Sequence, residues 1–353
     1  MEIEQRIEAF AGLGNGLNRL ALESSNNMPP GDHRIDPVKF DEHVRKAVDE
    51  NAWFIPEFVR KAISGIALLL DPQNLYQWTS QYNFNNVSET KTVAVVMAGN
   101  VPAVGFHDFL SVLMAGHRLQ VKLSSNDRHL IPAMAEALTK FEPGFTDYIE
   151  FTDGRIHDFD AVIATGSNNT ARYFNYYFAP YPHIIRKNRN AVAVLTGNES
   201  NETIKKLGED IFLYFGLGCR NVSKIYIPEG FDIRAIFPAL EHYTWTGDHH
   251  KYRNNYDYNK SVFLVNGDEH YDNGFLLLKA SDSIASPVSV LHYEQYADKD
   301  QLNEKIAALA SDIQCVVSED KTIEGSVPPG KAQYPELWDY ADGVDTMSFL
   351  LEL

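Results

Sequence analysis

The stretch Val93-Ala-Val-Val-Met-Ala-Gly-Asn-Val-Pro102 decides the fold class. Its first half is a short, unbroken apolar run with no polar alternation, which suits a strand covered on both faces in a parallel sheet. Its second half is a glycine-containing loop that stops the strand. Downstream the spacing predicts a helix from about Gly105 to Ala115, a Gly116-His turn and a second strand over Leu119–Leu123. A helix over Ile131–Phe141 follows, and Ala161-Val-Ile-Ala then leads into Thr165-Gly-Ser. Ala191-Val-Ala-Val-Leu is another buried strand. It opens a second series: a helix over Glu202–Phe215, the segment Gly216-Leu-Gly-Cys-Arg, and a strand at Ile225-Tyr-Ile-Pro. Strands alternating with helices of this length build right-handed βαβ units, so the chain reads as α/β and doubly wound. Upstream, helical spacing covers Ile3–Leu22, Phe40–Val48 and Ile55–Leu70, with a break at Asn26-Asn-Met-Pro-Pro-Gly. The closing Thr346-Met-Ser-Phe-Leu-Leu-Glu-Leu reads as a strand. No internal repeat or low-complexity tract is visible.

A chain of 353 residues is longer than one usual domain, and 44% hydrophobic residues suffice for real cores. The expected division is residues 1–190, residues 191–335, and a tail at 336–353. The formal charge of -17 argues against a nucleic-acid partner, because phosphate backbones would be repelled. Two cysteines, Cys219 and Cys315, are too few for a disulfide scaffold and form no spaced zinc pattern, so no metal is expected. The amino-terminal residues lack a signal-peptide layout, and no apolar run reaches the roughly 18 to 20 residues that span a bilayer. A cytoplasmic protein is the expectation.

Cys219 lies between Gly216-Leu-Gly and Arg220, after a helix and before a strand. Glycines allow a tight turn and close approach, and a neighbouring Arg favours the nucleophilic thiolate. A small buried hydrophobe is the other reading of an isolated Cys. Cys315, flanked by Ile313, Val316 and Val317, reads as core. Asn100 falls at the carboxyl end of a parallel strand, where open α/β sheets bind ligands. There its amide either donates to a developing oxyanion or merely shapes the loop. Lys122 ends the next strand before Ser124-Ser125-Asn-Asp and suits a ribose or phosphate as well as plain solvent. Gly166 and Ser167 open a helix whose backbone N–H groups can face a phosphate. No Gly-x-Gly-x-x-Gly or Walker loop occurs. The stretch from Thr246 to Asn259, with His249 and His250 adjacent, reads as a loop that lines a substrate pocket or only the surface.

Together these elements resemble the aldehyde dehydrogenase superfamily, most closely its LuxC-like acyl-CoA reductase branch, from about Val93 to Val290. Ala98-Gly-Asn-Val-Pro looks like the family's Asn-x-Pro loop. Ala115-Gly-His-Arg-Leu-Gln-Val-Lys-Leu-Ser resembles its ribose-binding segment, Thr165-Gly-Ser its nicotinamide-side turn, and Gly216-Leu-Gly-Cys-Arg the place of its nucleophile. The resemblance implies two doubly wound domains with a mostly parallel sheet in each. In that reading residues 1–190 bind the nucleotide, residues 191–335 carry the nucleophile Cys219, and the tail serves oligomerisation. Asn100 is then the oxyanion donor, and Ala98, Lys122, Ser124, Ser125, Gly166 and Ser167 contact the cofactor.

Departures from the family pattern refine this. The segment before Asn190, His183-Ile-Ile-Arg-Lys-Asn-Arg, holds no carboxylate where aldehyde-oxidising members keep a general-base Glu. An acyl-cysteine without a base to activate water hydrolyses slowly. Ser125 and Asn126 stand where NAD-preferring members tend to have an acid, which favours NADPH over NADH despite Asp127 close by. Asp282 or Ser283, before Ser286-Pro287, replaces the family's later ribose-binding Glu. The expectation is NADPH-dependent reduction of a fatty acyl-CoA, or of an acyl-protein donor, to the aldehyde in a homo-oligomer. The rivals are an aldehyde or semialdehyde dehydrogenase running toward oxidation and a non-catalytic binding subunit.

Overall fold

The computed structural model describes residues 1–22, 34–84, 87 and 89–353; the break expected at residues 26–31 lies outside them. Two compact units emerge, one made of Met1–Lys187 with Glu336–Leu353 and the other of Asn188–Pro335. The first begins with four helices: α1 (Ile3–Leu22), α2 (Pro37–Glu50), α3 (Pro56–Leu69) and α4 (Pro72–Thr79). Aspartates start two of them. Asp36 accepts from the N–H groups of Val38 and Lys39 ahead of α2, and Asp71 from Gln73 ahead of α4. In both, Pro takes the first helical position, where its missing N–H costs nothing.

Then come β1 (Thr92–Val96), α5 (Phe106–Ala115), β2 (Arg118–Lys122), α6 (Leu130–Phe141), β3 (Ile149–Phe151), β4 (Ala161–Thr165), α7 (Asn168–Phe178) and β5 (His183–Arg186). The strands form a parallel sheet in the order β3-β2-β1-β4-β5. Val93, Ala94 and Val95 of the central strand are buried, as the unbroken apolar run requires. Helix α5 is apolar on nearly every side and lies wholly in the core with Phe106, Phe109, Leu113 and Met114. It ends at Gly116, whose φ of 92° is the left-handed conformation that glycine adopts without strain.

The second unit holds β6 (Asn190–Val194), α8 (Asn201–Phe212), β7 (Val222–Pro228), α9 (Phe237–Leu240), α10 (His250–Asn266), β8 (Tyr271–Asp272), β9 (Leu277–Ala280), β10 (Val290–Tyr296), α11 (Lys299–Ala308) and β11 (Ile313–Val317). Its sheet runs β11-β6-β7-β10-β9-β8, parallel except for the last pair. Each unit is therefore a doubly wound α/β body around its own mostly parallel sheet.

Three expectations need correction. The stretch from Thr246 to Asn259 is largely helical: a 3-10 turn reaches Asp248, His249 caps α10, and Gly267 ends it at φ 69°. Its buried positions, Tyr252, Tyr256, Asn259 and Phe263, recur at helical spacing, but two tyrosines and an asparagine hide that period. Cys315 is half-exposed on β11, at the sheet's edge, and is not core. The chain's last expected strand is instead the helix α12 (Thr346–Leu351). Asp345 caps it by accepting from Ser348 N–H, and Met347, Leu350 and Leu351 turn one face into the first unit's core. Arg186 binds the Thr346 hydroxyl at 2.9 Å, and His117 Nε2 donates to the Leu350 carbonyl at 2.8 Å. Bound in this way, the tail offers no strand edge for pairing.

Candidate functional site

In the first unit the nominated cofactor residues share one edge. Val96 stands opposite both Lys122 and Ala164 in register, so the loops after β1, β2 and β4 leave the sheet side by side. The strand order reverses between β1 and β4, and that edge is where doubly wound sheets open a ligand crevice. Ala98 is half-buried, Gly99 buried and Asn100 exposed. A Cβ on Gly99 would lie 2.6 Å from Ser124 Oγ and 2.7 Å from its Cβ, so only glycine lets this loop press on the Ser124–Asp127 turn. Ser124 Oγ accepts from Asn126 N–H at 3.2 Å, leaving Ser125 and Asn126 exposed at the turn's tip. Asp127 points inward and accepts from Ala103 N–H at 2.7 Å; burial lifts its carboxyl to about 6. Ala103 is itself left-handed, at φ 53°.

Lys122 Nζ donates to the Gly154 carbonyl at 2.8 Å, one of three bonds an ammonium can make. Ser167 caps α7 by accepting from Thr170 N–H at 3.2 Å, and the exposed start of that helix sets backbone donors and a positive dipole end on the same edge.

Cys219 belongs to the second unit, in the turn before β7 and hence at that strand's amino end. It is half-buried and not disulfide-bonded. Helix α8 stops three residues earlier than its pattern suggests, because Tyr214 and Phe215 (both φ 54°) and Gly216 (φ 75°) are consecutively left-handed. The two non-glycine residues cost about 1–2 kcal/mol each, so the surroundings must hold them there. Phe215 is buried and stacks on His249 with ring centroids 4.3 Å apart, next to Trp245 and Tyr252. This packing brings the start of α10 against Phe215 in the left-handed corner.

Asn221, which the sequence reading passed over, is completely engaged. Its Oδ1 accepts from Gly218 N–H at 2.8 Å, and its Nδ2 donates to the carbonyls of Asp210 at 3.0 Å and Leu213 at 2.9 Å. Asp210 accepts from the N–H groups of Gly330 at 2.6 Å and Ala332 at 3.0 Å, and burial raises its carboxyl to about 7. Arg220 Nε donates to the Ala332 carbonyl, so that guanidinium supports the 330–332 loop rather than serving the thiol alone. The loop after β9 is held by Lys224 Nζ on the Asp282 carbonyl at 3.0 Å and His292 Nδ1 on the Ser283 carbonyl at 3.1 Å; the side chains of Asp282 and Ser283 are exposed.

Among the described residues no group of three or more His, Cys, Asp or Glu side chains is placed to hold a metal ion, and no helix is long and apolar enough to cross a membrane.

No protein-family model matches this sequence, and no curated protein matches it. Solved structures do match. An aldehyde dehydrogenase from Bacillus cereus, solved as its NAD+ complex, is similar with a TM-score of 0.63 at 13% identity, over 91% of this chain and 73% of that one. Aldehyde dehydrogenase 21 from Physcomitrella patens, in complex with the reaction product succinate, gives 0.69 at 11% identity over 100% and 84%. An NADP-dependent enzyme from E. coli gives 0.63 at 13% over 92% and 75%. At such identities the likeness establishes the aldehyde dehydrogenase fold.

Proposed function

We propose that this chain reduces an acyl-CoA to the aldehyde through an acyl-cysteine at Cys219, with NADPH as reductant. The observation that carries the proposal is the Cys219 turn: a half-buried cysteine on a strained, glycine-containing corner whose backbone is held by the side-chain amide of Asn221. Such presentation suits a nucleophile better than a packing residue.

In the proposed reaction the Cys219 thiolate attacks the thioester carbonyl, the carbon–sulfur bond to coenzyme A breaks, and the coenzyme leaves as thiolate and takes up a proton. The Cys219 backbone N–H and the Asn100 amide are assigned as oxyanion donors. When bound, the nicotinamide would supply the hydride that takes the Cys219 thioester to a thiohemiacetal. The resulting thiohemiacetal releases aldehyde and returns the thiol. Lys122, Ser124, Ser125, Ala98, Gly166 and Ser167 are assigned to hold the nucleotide. Their fit rests on the close approach that Gly99 permits and on the capped helix start at Ser167.

Two observations favour reduction and NADPH. Both carboxylates at the end of α8 are engaged, Glu209 by the Tyr334 hydroxyl at 2.9 Å and Asp210 by backbone N–H groups, so neither is placed as a base for water. Asp127 is turned into the protein, leaving Ser125 and Asn126 to face a ribose 2′-phosphate without a repelling acid.

The test is NADPH oxidation with a panel of acyl-CoAs beside Cys219→Ala. Aldehyde formation that is lost in the variant is expected. Turnover at the native rate in the variant sinks the proposal, and free acid formed from aldehyde and NADP+ with no thioester reduction replaces it with the oxidising reading.

A further inference from the structure

We infer that Asn221 is the positioning residue for Cys219, an inference that rests on the acyl-cysteine reading above. Asn221 bridges the strained corner from both sides. Its Nδ2 holds the Leu213 carbonyl just before the left-handed residues Tyr214, Phe215 and Gly216, while its Oδ1 holds Gly218 N–H just after them. The second Nδ2 bond, to the Asp210 carbonyl, ties the corner to the body of α8. The residue's own backbone closes the turn, with Asn221 N–H donating to the Gly218 carbonyl at 3.1 Å. Cys219 is thus confined between two residues, Gly218 and Asn221, that are bonded to each other through both backbone and side chain.

Asn221 is only 1% exposed; its bond to the Asp210 carbonyl is buried and those to Leu213 and Gly218 are partly buried, which limits competition from water. Its acceptor and its donors are all used, which is what a buried amide needs and what makes its orientation unique. Left-handed tyrosine and phenylalanine persist only where the surroundings over-determine them, and Asn221 supplies three of the constraints. The consequence is directional. What Asn221 fixes is the peptide path through Gly218 and Cys219, and so the aim of the Cys219 N–H and the side-chain vector. Attack on a thioester needs both in place, because charge develops on an oxygen that a preorganised donor must meet. Alkylation by iodoacetamide develops no oxyanion and needs only an accessible thiolate.

The two reactions therefore separate positioning from folding. The experiment compares Cys219 acylation by octanoyl-CoA, followed by mass spectrometry without reductant, with iodoacetamide alkylation of the same residue in native protein and Asn221→Ala. Acylation slowed by about a hundredfold, the scale of a lost oxyanion donor, with alkylation changed less than about threefold, is expected. Acylation at the native rate, or both reactions falling in parallel, overturns the inference. Where Asn221→Ala does not fold, Asn221→Asp carries the same comparison, since it keeps an acceptor for Gly218 N–H; a selective loss of acylation supports the inference and a parallel one overturns it. Cys219→Ala run alongside separates the failures. Turnover surviving in that variant removes the acyl-cysteine reading itself, whereas loss there with native acylation in the Asn221 variants removes only this inference.

Discussion

A methyl group on Gly99 would sit 2.6 Å from Ser124 Oγ, too close to be accommodated without a shift of the turn. Gly99→Ala is expected to destabilise the first unit by about 1–3 kcal/mol, the usual cost of overpacking, and to weaken NADPH binding at the same edge. Urea denaturation and a fluorescence titration check this; an unchanged midpoint and unchanged affinity would refute it. Asn100→Ala is expected to slow acyl transfer on the order of a hundredfold while leaving NADPH affinity alone, measured by single-turnover kinetics. The residues nominated from sequence were those with local signals: a strand end, a glycine, a cap, a cysteine in a glycine turn. Asn221 and Asp210 had none, and Asp127 had only its place after a strand, which does not say which way its carboxylate turns. Asp210 meets Gly330 and Ala332 across more than a hundred positions, and Asp127 meets Ala103 from the next loop. Only the folded chain brings such pairs together.

The start of α7 was legible in the sequence, and the inward face of α10 was not. Ser167 precedes α7 with the sequence pattern of a cap, and Ser167→Ala is expected to cost about 1 kcal/mol in thermal unfolding and to loosen nucleotide binding. The α10 stripe was hidden because, of its inward residues, only Phe263 is plainly apolar beside two tyrosines and an asparagine. The closing segment misled because Met-Ser-Phe-Leu-Leu is apolar enough for a buried strand, although Asp345 before it was a readable cap. Two histidines hold this tail: His107 Nε2 at the Leu337 carbonyl, 2.9 Å, and His117 Nε2 at the Leu350 carbonyl. His117 Nδ1 also accepts from Lys91 N–H at 3.2 Å, so its ring is neutral. Burial lowers both pKa values below 6.5. The unfolded chain therefore binds more protons as pH falls through that value, and the stability these groups give above it is lost toward acid. Amide exchange of residues 346–351, corrected for intrinsic rate, is expected to quicken below pH 6.5. Protection that stays level down to pH 5 would count against it.

At the scale of the molecule, residues 188–335 form a contiguous body with its own sheet and buried clusters. Expressed alone, that segment is expected to fold, whereas residues 1–187 alone are expected to expose the apolar face that α12 covers and to bind a hydrophobic dye. Circular dichroism and dye fluorescence of the two fragments decide both. The alternation of strands and helices made this architecture readable from sequence, since unbroken apolar strands leave few topologies open. What the pattern left unread was that the last residues return to the first body. That return has a consequence for synthesis. As the chain leaves the ribosome at about 5–20 residues per second, the second body is complete before the first has received its closing helix. The domain begun first is finished last, and until residues 346–351 emerge, α5 waits with its partner surface bare.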